Sequence, residues 1–444
     1  MTTHTERTPY VDTFFRELSP TWLNYVAALR GVAPPRIDRQ FTYLELGCGY
    51  GQSVTVHAAA FPQAEFHGCD IDSEHIGAAR RYAAAIGVHN VQFHEASFDA
   101  LSDGEPFDYI VLHGTYSWVD TNARAAIRRV IERRLKPGGL AYVSYNCYPG
   151  WSTEVPLRKL FTELADAGHG ALRERIRDAS RTLQRLSDAN FAFFAAHPEA
   201  RAATQSYSRQ QPEYLAHELL GDAWDALYSV DVADEMRDAH LSFVGSATLA
   251  DNHPELLMND PAAHAIAQLP TERQRTLAED FAMNRAFRRD VFVHGDNARG
   301  AHLAEVVIGR PGDAGALNTR VRVPRGIVTF QSDFTDELGT LLRGGSMTIA
   351  RIVAALSTPA RDPREIVRNL TYLVAAGELL PFAREHRVGA DGVLEPVAAK
   401  VLAWIDEHGV PRGVPNAVLG NGIELRHDDP AARERALDFL RRYR

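Results

Sequence analysis

Residues 42–53 read Thr42-Tyr43-Leu44-Glu45-Leu46-Gly47-Cys48-Gly49-Tyr50-Gly51-Gln52-Ser53, and residues 68–72 read Gly68-Cys69-Asp70-Ile71-Asp72. The apolar run from Phe41 to Leu46 has the length and composition of a buried strand. Three alternating glycines follow it, and they let the backbone turn sharply beneath a ligand where a Cβ would collide. A helix opening near Gln52 would aim unpaired N–H groups into that turn. Gly51 and Asp70 are separated by about one helix and a return strand, so Asp70 falls at the tip of the neighbouring parallel strand. There its carboxylate can accept both hydroxyls of a ribose.

The glycine spacing chooses among nucleotide-like ligands. Dinucleotide folds place their last glycine three residues after the second to clear a pyrophosphate, and Gln52 occupies that position here. Glu45, just before the glycines, would repel a diphosphate but suits a ligand carrying an ammonium and a sulfonium. The ligand expected is therefore S-adenosylmethionine. Ligands in such sheets sit at the carboxyl ends of the strands. Glu45, Gly47, Gly49 and Gly51 are expected around the methionine part, Asp70 and Ile71 at the ribose and adenine edge, and Ser97 and Phe98 at the base. Gln52 and His113 complete the expected cofactor set.

The chain has 444 residues, enough for two or three domains, with 45% hydrophobic and 24% charged residues. Mean hydropathy is −0.25, and no apolar run approaches the length of a bilayer span. Met1 to Pro9 lacks the apolar core of a secretion signal. Cys48, Cys69 and Cys147 suggest neither a disulfide framework nor a metal site, and cytoplasm is the default expectation. A net charge of −9 argues against a large nucleic-acid surface.

Helical spacing marks Tyr10–Leu29, with Ser19-Pro20 as its cap, as a segment lying over the cofactor cleft. Strand and helix signals then alternate from Phe41 to Tyr145, with a turn at Lys136-Pro137-Gly138-Gly139, and predict an α/β, Rossmann-like, doubly wound sheet. From about Val155 the pattern becomes helical: 157–167, 172–186, 190–196, 222–228, 230–240, 263–268 and 271–287, with a short apolar segment at 241–244 and a segment at Val291–His294 that could be a strand. The run from Arg310 to Gly315 marks a boundary. Thr348–Ser357, Asp362–Ala376 and the strand Leu379–Phe382 have the order of a winged helix, followed by a helix at Ala398–His408 and a hairpin turn at Asn421-Gly422. The expected domains are 1–154, 155–310 (mainly helical) and 311–444 (winged-helix-like).

Methyl transfer from a sulfonium is an in-line displacement in which the protein positions donor and nucleophile and excludes water, with no metal required. Two strand tips, around His113–Trp118 and Tyr145–Trp151, are expected to face the reacting methyl. Tyr116, Tyr145 and Asn146 could hydrogen-bond an incoming amine. Trp118 could hold a cation over its ring, as could Trp151; equally, both could plug a domain boundary. Glu213–Glu218 suits helix capping or an interdomain contact better than substrate binding.

The strings His113–Val119, Leu135–Leu140 and Val143–Trp151 resemble bacterial class I methyltransferases that carry a methyltransferase regulatory domain. Tyr214–Leu220, Leu241–Ala247 and Asn284–Asp290 resemble that regulatory domain. The best understood relatives are rickettsial protein lysine methyltransferases that modify outer-membrane protein. The resemblance implies a Rossmann-type core, a middle domain, a winged-helix-like C-terminal domain, and protein lysine as acceptor. A small-molecule methyltransferase is the alternative enzyme; a donor-sensing regulator whose winged helix binds DNA, with Arg361, Arg364 and Arg368 near its second helix, is the alternative of another class.

Overall fold

The computed structural model describes residues 13–221, 223–295, 300, 303–312, 316–388, 394–408, 412–425 and 430–443. Residues 10–12 of the N-terminal segment read as helical lie outside them. The rest of that segment is a short turn, Arg16–Leu18, followed by α1 (Pro20–Leu29). Ser19 caps α1, its Oγ accepting from the Thr21 N–H, with Pro20 in the first turn where its missing N–H costs nothing.

The alternating region folds as β1 (Thr42–Leu46), α2 (Gln52–Ala60), β2 (Glu65–Asp70), α3 (Ser73–Ile86), β3 (Val91–Glu95), β4 (Phe107–Leu112), α4 (Thr121–Arg134) and β5 (Leu135–Asn146). The expected turn at Lys136–Gly139 is instead the start of β5, where the β4 pairing slips register. An insertion follows: α5 (Glu154–Asp166), α6 (Leu172–Asp188), α7 (Ala192–Ala196), α8 (Pro198–Tyr207) and α9 (Pro212–Leu220). It packs around its own core of Leu157, Phe161, Ile176, Leu183 and Leu219. The chain then returns through α10 (Ser229–Asp238), β6 (Leu241–Ser246), α11 (Pro254–Leu257), α12 (Asp260–Ala267), α13 (Glu272–Ala282) and β7 (Phe287–His294).

Among the described residues, the main sheet has seven strands in the order β3-β2-β1-β4-β5-β7-β6. β1 to β5 pair in parallel, and β7 runs antiparallel between β5 and β6. Two stretches read within the helical 155–310 segment thus complete the sheet, so position 154/155 marks the start of an insertion rather than the end of the sheet-forming chain. Their apolar faces are why: Val291 and Val293 join one core layer and Phe292 the other. Residues 223–228 are extended, not helical, with Leu227 bridging to Cys147. The helix expected over 271–287 stops at Ala282, and Phe287 already belongs to β7.

The remaining chain forms β8 (Val307–Gly309), β9 (Arg320–Val323), β10 (Gly326–Thr329), α14 (Ser332–Leu342), β11 (Gly345–Thr348), α15 (Ile349–Leu356), α16 (Pro363–Ala375), β12 (Leu380–Phe382), β13 (His386–Arg387), α17 (Pro396–His408), β14 (Arg412–Asn416), β15 (Asn421–Leu425) and α18 (Pro430–Arg442). Asn421-Gly422 opens β15; the hairpin turn is 417–420. This hairpin sits directly on the front of the sheet domain. The Gly420 carbonyl accepts from Ser19 Oγ and Thr21 Oγ1, and Asn421 Nδ2 donates to the Arg16 carbonyl at 2.9 Å. No helix among the described residues is long and apolar enough to cross a membrane.

Candidate donor and acceptor site

The glycine turn after β1 is shaped by close approach. Gly47 has φ +71°, and a Cβ there would lie 2.5 Å from Thr115 Oγ1. Gly49 donates its N–H to Asp70 Oδ2 at 2.9 Å, while Asp70 Oδ1 accepts from the Asp72 N–H at 2.9 Å. His75 Nδ1 lies 3.5 Å from Asp70 Oδ1. Burial alone would raise the Asp70 pKa; the contacts from His75, Asp72 and Gly49 outweigh it and hold the group below the usual range.

Asp70 and Ile71 open onto a cleft of about 370 Å³, with Ser97, Phe98, Thr115 and Trp118 on its other walls. Ile71 is 76% exposed at the tip of its strand, an apolar platform of the kind a planar base covers. Glu45 lies deeper, only 5% exposed, and its Oε2 is buried without a hydrogen-bond partner. Burial pushes its pKa up to about 8. A buried, unpartnered carboxylate at the end of β1 is costly unless a cation meets it. The residues therefore fit S-adenosylmethionine: an ammonium for Glu45, ribose hydroxyls for Asp70, and a base for Ile71 and Phe98.

Three members of the expected cofactor set have contacts within the protein itself. Gly51 is required by packing, since a Cβ there would lie 2.6 Å from Phe93 and 2.7 Å from Ala79. Gln52 is turned to the C-terminal hairpin, its Oε1 accepting from the Gly413 N–H at 3.2 Å. His113 is hydrogen-bonded to the Tyr142 hydroxyl at 2.8 Å and lies beneath Phe15, with ring centroids 3.7 Å apart. Burial, with the Arg289 charge adding to it, pushes its pKa down to about 3, so it is neutral.

The expected acceptor residues divide by the pleat of β5. Tyr145 faces away from α1, and its hydroxyl donates to Asp290 Oδ2 at 2.6 Å. Asp290 also receives Arg288, which pairs in turn with Asp280, and Arg285 joins Asp280 to Asp251. Tyr116 lies on the same side, fully buried, its hydroxyl donating to Glu235 while Arg128 contacts both groups. Both tyrosines are thus structural ties to β7 and α10, not groups at a reacting methyl. Trp118 lines the donor cleft. Trp151 packs edge-on to Trp224, over which the Arg158 guanidinium lies at 4.8 Å, so it seals the root of the insertion. Tyr214–Leu220 falls within α9, with the Glu213 and His217 side chains outside the described residues.

Asn146 faces the α1 side. It is 6% exposed, and its Nδ2 is buried without a partner. Its register partner is Phe287, and that of Ser144 is Arg289. Directly opposed residues share a face, as do residues two apart on a strand, so Glu45, His113, Asn146, Phe287 and Arg289 all lie on one face of the sheet, a staggered row toward its carboxyl edge. Phe15 roofs that row, its N–H donating to Ser53 Oγ at 3.0 Å. The sequence marked the N-terminal segment as a cover but not Phe15 within it. Arg289 stood in a family string with no signal for a role, because its facing is set by antiparallel pairing with Ser144, 145 residues earlier.

A Rossmann-like sheet with a donor cleft of this composition defines a class I S-adenosylmethionine-dependent methyltransferase. Residues 44–141 match the family model described as a methyltransferase domain, and residues 211–294 the one described as a predicted methyltransferase regulatory domain. An uncharacterized protein of Synechocystis sp. is 34% identical over 383 residues, covering 85% of this chain and 76% of its own length. An uncharacterized protein of Rickettsia prowazekii is 27% identical over 66% of this chain and 52% of its own. The fold matches that of PKMT2 from Rickettsia typhi in complex with AdoHcy, with TM-score 0.72 and 19% identity over 94% of this chain and 86% of that one. The chain belongs to the methyltransferases that carry a methyltransferase regulatory domain. In this structure the matched regulatory segment spans α9 to β7, so it includes the two strands that close the main sheet.

Proposed function

We propose that the protein N-methylates lysine side chains of a polypeptide acceptor. The bound cofactor supplies an electrophilic methyl on sulfur. Glu45 holds its ammonium, Gly47 and Gly49 admit the chain of its methionine part, Asp70 takes the ribose, and Ile71, Ser97 and Phe98 frame the base, with Trp118 closing the cleft. The observation that carries the acceptor half is the buried carboxamide of Asn146 on the α1 side of β5, the side Glu45 shares, with its Nδ2 lacking a hydrogen-bond partner. Its Oδ1 can accept an N–H of a neutral amine and so point the nitrogen lone pair along the line of displacement. Phe15 excludes water above it.

The family resemblance in sequence and the likeness to PKMT2 support a protein acceptor. The insertion α5–α9 and the C-terminal part, whose order α14, β11, α15, α16, β12, β13 is winged-helix-like, are read as the acceptor-selecting units. A DNA-reading role for that part is disfavoured by its arginines. Arg361 is paired with Asp333 at 2.8 Å and Glu337 at 2.7 Å, and Tyr372 on α16 donates to Glu255 of the sheet domain. A second reading, transfer to a small acid, draws on a Streptomyces coelicolor trans-aconitate 2-methyltransferase that is 31% identical over 30% of this chain. Incubation with tritiated donor and a cell lysate decides between them. Label in protein, recovered as methyl-lysine after hydrolysis, is expected; label confined to metabolites rejects the protein acceptor.

A further inference from the structure

Outside the donor cleft, a groove of about 540 Å³ lies between the N-terminal segment and the C-terminal hairpin. Phe15, Arg16, Glu17, Trp22, Arg289 and Glu424 are among its walls. Phe15 also stacks on His113 after β4 and Arg289 stands on β7, so the groove borders the carboxyl edge of the sheet on the α1 side. Arg16 is engaged with Glu17 at 3.8 Å and lies over the Trp22 ring at 5.0 Å.

Arg289 is different. It forms no ion pair with a carboxylate of the described residues, its Nε is buried without an acceptor, and one terminal nitrogen donates to Thr248 Oγ1 at 3.0 Å. Its guanidinium lies over the Phe287 ring, 5.1 Å from the ring centroid. A half-buried guanidinium held rigid by stacking and lacking a counter-charge is prepared to receive an oxygen anion, for which its planar fork is suited. The donor does not supply that anion. Arg289 stands on β7, three strands from β1, and at ~4.8 Å per strand it is roughly 14 Å from the strand that holds the methionine part.

We infer that the groove receives the acceptor and that Arg289 is its specificity-determining residue, binding a carboxylate beside the methylated nitrogen. This deepens the lysine reading proposed above and rests on it for the acceptor's identity: the carboxylate is then an Asp or Glu side chain close to the target lysine. In the small-acid reading it is a carboxylate of the acceptor itself, and the test separates the two sources.

The test compares the wild-type protein with Arg289→Met and Arg289→Lys, using tritiated donor and two probe sets. One set is lysine peptides flanked by Glu, Gln or Arg; the other is di- and tricarboxylic acids. Thermal melting and donor affinity by calorimetry serve as controls that a merely structural role would move. Expected for the wild type is at least tenfold higher kcat/KM on Glu-flanked than on Gln-flanked peptides, carried by KM. Arg289→Met should lose that preference, Arg289→Lys should recover part of it, and donor affinity should stay within twofold. Label in carboxylic acids only, lost in Arg289→Met, upholds Arg289 while rejecting lysine. A preference unchanged in the variant, a tenfold loss of donor affinity, or no difference between wild type and variant with any probe overturns the assignment.

Discussion

At the scale of single residues, the donor cleft makes two sharp predictions. Asp70→Ala removes the carboxylate that receives Gly49 and Asp72 and faces the ribose. Donor affinity should fall by ~1.5–3 kcal/mol, the usual worth of hydrogen bonds to a charged group, and calorimetry reads it directly. Glu45 gives a pH signature. Its carboxyl, raised to about 8 by burial, is protonated at neutral pH before the donor binds. A raised acid is a group to which the folded state binds a proton that the unfolded state releases, so free-protein stability declines as pH rises from the ordinary carboxylate range toward 8. An arriving ammonium favours the ionised form, so donor binding releases a proton below pH 8 and affinity climbs with pH through 6 to 8. Above that it declines again as the donor's own amino group, ordinarily near ~8, loses its charge. Calorimetry in buffers of different ionisation heat should show the released proton, and Glu45→Gln should abolish it.

At the scale of elements, the pleat of β5 separates catalysis from architecture, and two neighbours should behave oppositely. Asn146→Ala should lower the transfer rate at least tenfold with little change in melting temperature. Tyr145→Phe should leave Asp290 without one of its buried donors, costing ~1–3 kcal/mol of stability but sparing most of the rate. The sequence could not separate the pair. Both residues sit at one strand tip, and which side each faces follows from register against β7, whose pairing partners lie far along the chain. The glycine turn and Asp70 were legible because their geometry is local: a strand, a turn and a helix within thirty residues fix it. The family strings carried further than periodicity did, yet Asn284–Asp290 concealed two functions. Arg288 and Asp290 are buried ion-pair partners, while Arg289 between them faces the groove. β6 escaped, and β7 was legible only over its second half, Val291–His294, because their short apolar runs stand among helices and nothing local announces a sheet whose other strands ended at residue 146.

At the scale of the whole molecule, the C-terminal hairpin is a working part of the front of the sheet. Gly413 and Gly422 press against Phe14, where an added Cβ would come within 2.5 Å and 2.8 Å of its ring. Gly413→Val should push Phe14 and Phe15 off the row beneath them and weaken donor binding severalfold; a donor affinity equal to wild type would show that the hairpin and the cleft are energetically independent. The strand order has a different consequence, one of timing. β5 is synthesised about 150 residues ahead of the end of β7, the strand that covers its open side. At ribosomal speeds of ~5–20 residues per second this leaves a bare sheet edge for roughly seven to thirty seconds. The five-helix insertion, with a core of its own, emerges in that interval and can fold while the edge waits. A nascent chain stalled near residue 240 should therefore bind chaperones strongly and aggregate when released, whereas one stalled after β7 has cleared the exit tunnel should not.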